Sequence, residues 1–353
     1  KKINKMNLYK KISIFKDATI SDALKQMDAV KKKLLVVLSD DQTFLSLISI
    51  GDIQRAIINN SPINTPIVQI LRDKVKVAHI YDNPEDIKNH IRQKRNDFMP
   101  VIDDFNRIVK VIFWEDLFKE KQEVGQFDLP IVIMAGGKGS RLKPLTNVIP
   151  KPLIPINDKT IIEDIMDRFV EHGCHDFYLS VNYKSDMIPY YFDKLNNSEY
   201  CINYFQEDKP LGTAGSLSLI KGKFNRTIFV SNCDILIDQD YSEILKYHNE
   251  NKNQITIVAA LKHYPIPYGT IETGDNGCLV KLTEKPELVF KINSGMYVLE
   301  PHVLDLIPDD RFLHITQLIE DISKQGMKVG VFPVTENSWK DMGSKSDYFL
   351  NSD

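Results

Sequence analysis

Apolar and polar positions follow the same order twice in the first third of the chain. A stretch with helical spacing is followed by a short apolar run, an acidic turn, a second apolar run and an Asp that opens another helix. The two copies hold one offset of 64 residues without a gap, which places Asp22 on Asp86. The matching segments are 22–27 with 86–91, 35–40 with 99–104, and 47–53 with 111–117.

This internal repeat predicts a tandem domain over residues 1–120, with repeats at about 11–60 and 75–120. Residues 121–129 are polar, contain a glycine and precede Pro130, which predicts a linker. Residues 130–353 then form a second domain.

The repeated unit resembles a CBS motif, and residues 11–120 resemble a CBS pair; the matching features are Thr-Ile-x-Asp-Ala-Leu at 19–24, the apolar and acidic centre, and Gly-Asp-Ile at 51–53. The resemblance implies an α+β CBS pair that binds an adenine nucleotide. In that family, Asp52 would hold the ribose hydroxyls together with Ser49, and Asp116 would be its counterpart, although Phe113 replaces the hydroxyl there. The alternative is that Asp52 and Asp116 are only helix N-caps.

A glycine-rich loop follows the apolar run 131–134, which predicts a buried strand. Successive backbone N–H groups in such a loop can cradle phosphate oxygens. The order of residues matches neither a Walker A loop nor a dinucleotide fingerprint. The loop residues are Ala135, Gly136, Gly137, Lys138, Gly139 and Ser140.

The longer string resembles the signature of the sugar-1-phosphate nucleotidyltransferases. Gly-Gly-x-Gly-Ser-Arg-Leu at 136–142 is followed by Pro-Leu-Thr at 144–146 and Pro-Lys-Pro at 150–152. The resemblance implies an α/β, Rossmann-like fold with a mixed, mostly parallel sheet. It also implies that the loop binds a nucleoside triphosphate, that Arg141 stabilises phosphate charge and that Lys151 contacts the reacting phosphates.

The segment Glu-x-x-Pro-Leu-Gly-Thr at 207–213 resembles the part of this family that wraps the nucleobase, which assigns Glu207, Gly212 and Thr213 to the nucleotide. A carboxylate only accepts hydrogen bonds, whereas a Gln amide also donates. Guanine offers two adjacent donors, so Glu207 favours GTP over UTP or dTTP. The alternative is that Glu207 faces solvent.

Two carboxylates are candidates for holding Mg²⁺. Asp234 follows the apolar run 227–230, and the carboxyl end of a parallel strand faces the crevice of an open α/β sheet. By resemblance Asp234 is a magnesium ligand, and Asp341 of Trp-x-Asp-x-Gly is the second. Family resemblance places four further residues at the sugar phosphate: Gly269, Glu284, Lys285 and Asn293.

Composition and charge limit the classes of partner that the protein is expected to bind. Of 353 residues, 45 are Lys or Arg and 48 are Asp or Glu, and a net charge of -3 gives no sign of a nucleic-acid surface. The apolar runs are too short to span a bilayer. The four cysteines form no C-x-x-C pair, which favours reduced thiols in the cytoplasm.

Together these features predict a guanylyltransferase that acts on GTP and a hexosamine-1-phosphate. A CBS pair fused to such a domain most resembles the glucosamine-1-phosphate guanylyltransferases of bacterial legionaminic acid synthesis, which serves flagellin glycosylation. The alternatives are a mannose-1-phosphate guanylyltransferase, another sugar-1-phosphate nucleotidyltransferase that uses UTP or dTTP, or a nucleotide-sensing scaffold with an inactive transferase domain. CBS pairs commonly dimerise, so we expect a homodimer or higher homo-oligomer.

Overall fold

The chain divides into two compact units between residues 123 and 124. A computed structural model describes residues 9–94, 96–118, 124–156 and 158–343, with the side chains of residues 115 and 116 excepted. The side chain of the candidate ligand Asp116 and residues 121–123 of the predicted linker therefore lie outside the described residues.

In its described part the first unit contains six strands and four helices, besides helical residues 9–11 and a 3-10 turn at Ile67–Ile70. The strands are β1 Ser13–Phe15, β2 Leu34–Leu38, β3 Phe44–Ser49, β4 Ala78–His79, β5 Phe98–Ile102 and β6 Ile108–Phe113. The helices are α1 Ile20–Val30, α2 Ile50–Ile58, α3 Pro84–Lys94 and α4 Trp114–Leu117. They form two three-stranded sheets, β1-β2-β3 and β4-β5-β6, each with a parallel pair followed by an antiparallel pair.

The sequence repeat is also a structural repeat. Helix α3, strand β5 and strand β6 have the same limits as α1, β2 and β3 when these are shifted by the 64 residues of the sequence offset. The bulge in the β2–β3 pair recurs at the equivalent place between β5 and β6. Helix α1 begins at Ile20, two residues before the repeat segment 22–27, because the Thr19 side chain accepts from the Asp22 backbone N–H and caps the first turn.

The two repeats also bond to each other within this unit. The Lys33 N–H donates to the Asp97 carboxylate at 2.8 Å, and the Phe44 N–H donates to the Asn106 carbonyl at 2.8 Å. Every residue of β2 and β5 is buried, so the central strands of both sheets form the core.

The second unit is built around one seven-stranded sheet. Its strands are β7 Ile131–Met134, β8 Pro155–Ile156, β9 Lys159–Thr160, β10 Asp176–Val181, β11 Cys201–Gln206, β12 Ile228–Asn232, β13 Ile235–Ile237, β14 Ile255–Pro265, β15 Thr270–Thr273, β16 Leu279–Thr283, β17 Glu287–Leu299, β18 Val329–Val334 and β19 Trp339–Asp341. Its helices are α5 Ile161–Val170, α6 Met187–Leu195, α7 Gly212–Gly215, α8 Tyr241–Asn251 and α9 Ile315–Lys324. Throughout the described part of the chain, helices are too short or too polar to cross a membrane.

Strand β7 lies at the centre of the large sheet. The order is β11-β10-β7-β12-β17-β14-β18, and only β17 runs antiparallel to its neighbours. Successive side chains of a strand point to opposite faces. Ile131 and Ile133 accordingly join one apolar cluster and Val132 joins the other, so both faces are covered. This confirms the mixed, mostly parallel α/β sheet.

The described end of the predicted linker packs onto the second unit. The Phe127 ring stacks on His172 with ring centroids 5.3 Å apart, and its N–H donates to the His172 carbonyl at 2.8 Å. Leu129 packs against the same core. Residues 124–129 are therefore continuous with the second unit.

Candidate active site

The glycine-rich loop leaves β7 in a fixed conformation. The Ala135 N–H donates to the Ser180 carbonyl at 3.0 Å. Gly139 has φ +59°, and an added Cβ would lie 2.7 Å from Thr146 Cγ2 and 3.0 Å from Lys151 Cβ, so a larger residue does not fit. The Thr146 hydroxyl donates to the Gly139 carbonyl at 2.9 Å. The Pro-Leu-Thr segment thus holds the loop in place.

Lys151 and Asp234 form a buried ion pair beneath the loop. Lys151 begins a short 3-10 turn, and its ammonium contacts the Asp234 carboxylate directly. The two side chains are only 10% and 12% exposed. A buried pair at a crevice is held in one geometry, which suits a group that must meet a phosphate in a fixed position.

Asp341 reaches Asp234 through a small ribbon. Strands β13 and β19 are antiparallel, and Ile235 pairs with Asp341. The Met342 N–H donates to the Asp234 carbonyl at 2.7 Å.

The space beside Gly343 is where the predicted catalytic residues meet. A Cβ added to Gly343 would lie 2.6 Å from Asp234 Oδ2, 2.7 Å from Asp341 Oδ1 and 3.0 Å from Arg141 Nη2. With the Lys151–Asp234 pair, the fold therefore brings together Arg141, Lys151, Asp234 and Asp341.

These two carboxylates fit a Mg²⁺ ion. Mg²⁺ is usually held by one or two carboxylates, with phosphate oxygens and water completing its shell. Asp234 Oδ2 and Asp341 Oδ1 lie 2.6 and 2.7 Å from the point that a Cβ at Gly343 would occupy, and they already accept from the Lys151 ammonium and, at 2.6 Å, from the Gly343 N–H. Two carboxylates would leave most positions around such an ion to substrate phosphates and water.

Glu207 lies next to the glycine loop and not in solvent. It is 8% exposed, and its carboxylate accepts from the Ser180 hydroxyl at 2.7 Å and from the Leu211 N–H at 2.9 Å. A Cβ added to Gly136 would lie 2.8 Å from Glu207 Oε1. The solvent-facing alternative is therefore wrong, because the turn after β11 folds Glu207 back onto the loop.

Gly212 and Thr213 make contacts that the sequence does not reveal. Gly212 has φ +79°, and an added Cβ would lie 2.6 Å from the Leu313 carbonyl oxygen. The Thr213 hydroxyl accepts from the Ile315 N–H at 3.0 Å and so caps the start of α9. Both residues pack this segment against the chain before α9, and their nucleotide contact stays a prediction.

The sugar-side residues lie along the β15–β16 hairpin and β17. A Cβ added to Gly269 would lie 3.0 Å from Glu284 Oε2, so these two residues meet, while Lys285 is exposed after β16. The Asn293 amide donates to the Tyr297 hydroxyl at 2.8 Å and accepts from the Gly295 N–H at 3.1 Å. Its own partners therefore fix the amide's orientation.

Three residues of the site were not predicted from the sequence to be functional. Ser180 contacts Glu207, and Gly343 leaves the space between the two carboxylates. The Asn232 amide lies against Gly295 at the end of β12. Asn232 and Gly343 belong to short motifs that carry an Asp, which was a usable signal, whereas nothing around Ser180 in the sequence points to Glu207.

The candidate ligand residues of the first unit form a helix cap. Ser49 is the N-cap of α2, and its N–H and hydroxyl donate to Asp52 Oδ2 at 2.8 and 2.6 Å. Asp52 is thus the N3 residue of a capping box and not the N-cap itself, because the N-cap position is occupied by Ser49. Asp52 Oδ1 forms ion pairs with Arg55 and, at 3.1 Å, Arg72.

A cavity of about 640 Å³ lies beside this cap and is lined by residues that include Phe44, Leu71, Arg72 and Lys74. Since both Asp52 oxygens already have partners, a ribose contact would compete with them. Ligand binding here stays a prediction.

The nucleotidyl transferase family matches residues 131–352, and a CBS domain matches residues 9–59. The chain belongs to the nucleotidyl transferase family. In its N-terminal unit it carries a CBS domain, followed by a second copy of the same arrangement of strands and helices.

Known proteins are similar to nearly two thirds of this chain. The mannose-1-phosphate guanylyltransferase of Mycobacterium tuberculosis is 29% identical over 63% of this chain and 63% of that protein. The mannose-1-phosphate guanyltransferase of Pichia angusta is 34% identical over 62% of this chain and 61% of that protein. The chain thus spans less than two thirds of the length of these relatives. The crystal structure of HddC from Yersinia pseudotuberculosis aligns with a TM-score of 0.50 at 25% identity, over 64% of this chain and 98% of HddC.

Proposed function

We propose that the second unit transfers a guanylyl group from GTP to a sugar-1-phosphate, giving a GDP-sugar and pyrophosphate. The observation that carries this proposal is the convergence of Arg141, Asp234 and Asp341 at one point beside Gly343, with Lys151 paired to Asp234. Two cations and two carboxylates beside a glycine loop suit the handling of phosphates.

In this reaction an oxygen of the sugar phosphate attacks the α-phosphorus of GTP, and pyrophosphate leaves. The nucleophile is already anionic, so no general base is needed, and the protein contributes positioning and charge stabilisation. Arg141 and Lys151 offset negative charge that develops on the phosphates. Mg²⁺ held by Asp234 and Asp341 would neutralise further phosphate charge. Cys233, next to Asp234, is buried, and burial raises the pKa of its thiol to about 12, which disfavours the reactive thiolate.

The choice of GTP is supported by Glu207 and by the names of the relatives. Glu207 is buried beside Gly136 in the loop and offers only acceptors, which complement N1–H and the 2-amino group of guanine. Both relatives described above are named as guanylyl transferases.

Two sugar phosphates compete as the second substrate. The fusion of a CBS pair to the transferase supports glucosamine-1-phosphate and a place in legionaminic acid synthesis for flagellin glycosylation. The relatives' names support mannose-1-phosphate instead. Gly269 and Glu284, which meet beside the hairpin, would contact the sugar in either case, with Lys285 and Asn293 near its phosphate and hydroxyls.

The proposal extends to the partners of the whole chain. GTP and hexose phosphates are cytoplasmic metabolites, so we place the protein in the cytoplasm. The cavity beside Arg72 and Lys74 offers cations and apolar side chains to an adenine nucleotide, and the repeats would support a homodimer or higher homo-oligomer.

The test measures pyrophosphate release by the full chain with Mg²⁺. Each of GTP, UTP, dTTP, CTP and ATP is combined with each of four sugar phosphates. The sugars are glucosamine-, N-acetylglucosamine-, glucose- and mannose-1-phosphate. We expect turnover with GTP and glucosamine-1-phosphate. Turnover with mannose-1-phosphate would select the second candidate, and a UTP or dTTP preference would contradict the Glu207 argument. If no pair of nucleotide and sugar phosphate releases pyrophosphate, with an adenine nucleotide present or absent, the proposal is contradicted and a nucleotide sensor is favoured.

A further inference from the structure

Ser180 connects the glycine loop to the carboxylate of Glu207. It lies near the end of β10, pairs with Met134 of β7 and is completely buried. Its carbonyl accepts from the Ala135 N–H at 3.0 Å, and its hydroxyl donates to Glu207 Oε1 at 2.7 Å. One buried residue therefore fixes the position of Glu207 relative to the start of the loop.

The Glu207 carboxylate is held from both sides. Oε2 accepts from the Leu211 N–H at 2.9 Å, while the Asn182 amide donates to the Glu207 backbone carbonyl at 2.8 Å. A carboxylate has about four lone-pair sites. The Ser180 and Leu211 bonds use one site on each oxygen, which leaves one acceptor on each oxygen for a ligand.

Gly136 keeps the space on the loop side of this carboxylate open. An added Cβ there would lie 2.8 Å from Glu207 Oε1 and 3.2 Å from Asn182 Cβ. The absence of a side chain at Gly136 therefore allows the loop to approach an already oriented carboxylate.

We propose that Ser180 is a positioning residue for base specificity, acting through Glu207. This inference rests on the proposed function, in which Glu207 accepts from N1–H and the 2-amino group of guanine. A bidentate contact needs both carboxylate oxygens in the plane of the base. The terminal torsion of Glu is broad and is not fixed by its own rotamer preference. The Ser180 hydroxyl supplies that restraint at Oε1, as the Leu211 N–H does at Oε2, and without Ser180 the base contact of Oε1 is lost.

The discriminating substrate pair is GTP and ITP, because hypoxanthine lacks the 2-amino group but keeps N1–H. We would measure kcat/KM and nucleotide binding for both with the full chain and Mg²⁺. The variants are Ser180→Ala, Ser180→Thr, Glu207→Gln and the Ser180→Ala/Glu207→Gln double variant. Ser218→Ala is the matched control, since Ser218 is also buried and its hydroxyl donates to the Gly215 carbonyl at 2.7 Å.

We expect Ser180→Ala to lower the GTP-to-ITP ratio by about tenfold, which corresponds to the loss of one hydrogen bond to a charged group. Ser180→Thr keeps the hydroxyl and should therefore show the wild-type GTP-to-ITP ratio. In the Glu207→Gln background, Ser180→Ala should have no further effect on the ratio, because the two residues act as one unit. Ser218→Ala should leave the ratio unchanged. A general loss of folding would lower both rates and leave their ratio intact.

A Ser180→Ala protein that keeps the wild-type ratio would overturn this inference while the proposed function stands. If Ser180→Ala does not fold, Ser180→Cys provides the same readout with a weak donor of similar size. A Glu207→Gln protein that keeps the GTP preference would contradict the base contact itself. A wild-type chain that neither binds nor turns over GTP would contradict the proposed function.

Discussion

Asp341 lies beside Asp234 because its strand pairs with the residue that follows Asp234. In the β13–β19 ribbon Ile235 pairs with Asp341, and the Met342 N–H bonds the Asp234 carbonyl at 2.7 Å. The backbone, and not a flexible side chain, thus sets the separation of the two carboxylates. Such a rigid arrangement suits a site that works by positioning charge.

Gly343 should be essential for activity although it carries no functional group. In Gly343→Ala the new Cβ would lie 2.6–2.7 Å from Asp234 Oδ2 and Asp341 Oδ1, so these oxygens must move. We expect kcat/KM to fall by about a hundredfold, the effect of misplacing reacting groups by about 1 Å. The measurement is steady-state pyrophosphate release.

Gly51→Ala is the control for that substitution. A Cβ at Gly51 meets its nearest atoms, in Arg55 and Ser49, at 3.6 and 3.7 Å, which is ordinary contact. Gly51 also lies in helix α2, where Ala is favoured over Gly. Wild-type activity in Gly343→Ala would show that the space beside Gly343 is not the reaction site.

The capping box of the first unit gives a prediction about stability. Asp52→Ala removes the carboxylate that accepts from Ser49 and pairs with Arg55 and Arg72. The loss of a cap costs about 1–2 kcal/mol, and the partly exposed arginines add little. Amide hydrogen exchange in residues 50–58 should therefore accelerate by about tenfold.

Asp22→Ala is the comparison, because Asp22 forms the same capping box with Thr19 but is exposed. We expect a smaller acceleration in residues 20–30 for that variant. Equal effects at the two helices would mean that the burial of Asp52 contributes nothing.

Periodicity and motifs were enough to predict much of the fold. The repeat offset predicted the order of helices and strands in the first unit, because both copies bury a central apolar strand, β2 and β5. The glycine loop and Asp234 were placed at strand ends, since chemistry in α/β sheets gathers there. Contacts between side chains that lie far apart in the sequence could not be predicted from periodicity or motifs.

Thr213 illustrates that limit. Its hydroxyl caps α9 by accepting from Ile315, a partner that no local pattern identifies. Glu207 was predicted from its motif, but its carboxylate accepts from Ser180 of a neighbouring strand, which the motif does not indicate. Both cases depend on which strands and turns become neighbours in space, and a single sequence does not contain that information in its spacing.

His248 should make folding sensitive to acid. Its ring is buried between Thr256 and Glu300, and burial lowers its pKa below the ordinary 6.5, although the bond to Glu300 opposes this shift. Below pH 6.5 the unfolded chain binds a proton that the folded chain does not, so stability falls as the pH falls. The difference in urea midpoint between pH 7.5 and 5.5 should be smaller in His248→Gln. Equal pH dependence in the two proteins would exclude this role.

The cysteines should divide into two classes by reactivity. Cys201 and Cys278 are exposed, whereas Cys174 and Cys233 are buried and burial raises their pKa values to about 11 and 12. Treatment of the folded protein with N-ethylmaleimide at pH 8 should modify the two exposed thiols, because the thiolate is the reactive form. Mass spectrometry before and after denaturation checks this, and rapid labelling of Cys233 in folded protein would contradict its burial.

The most direct test of the account compares pyrophosphate release from GTP and a sugar-1-phosphate by the wild-type chain and Asp234→Asn. Asp305→Asn, a change of the same chemistry at an exposed position, is the control. Since Asp234 pairs with Lys151 and meets Asp341 at the proposed reaction site, we predict a loss of at least about a hundredfold, with the control at the wild-type rate. Wild-type turnover by a folded Asp234→Asn protein would contradict the assignment of this site.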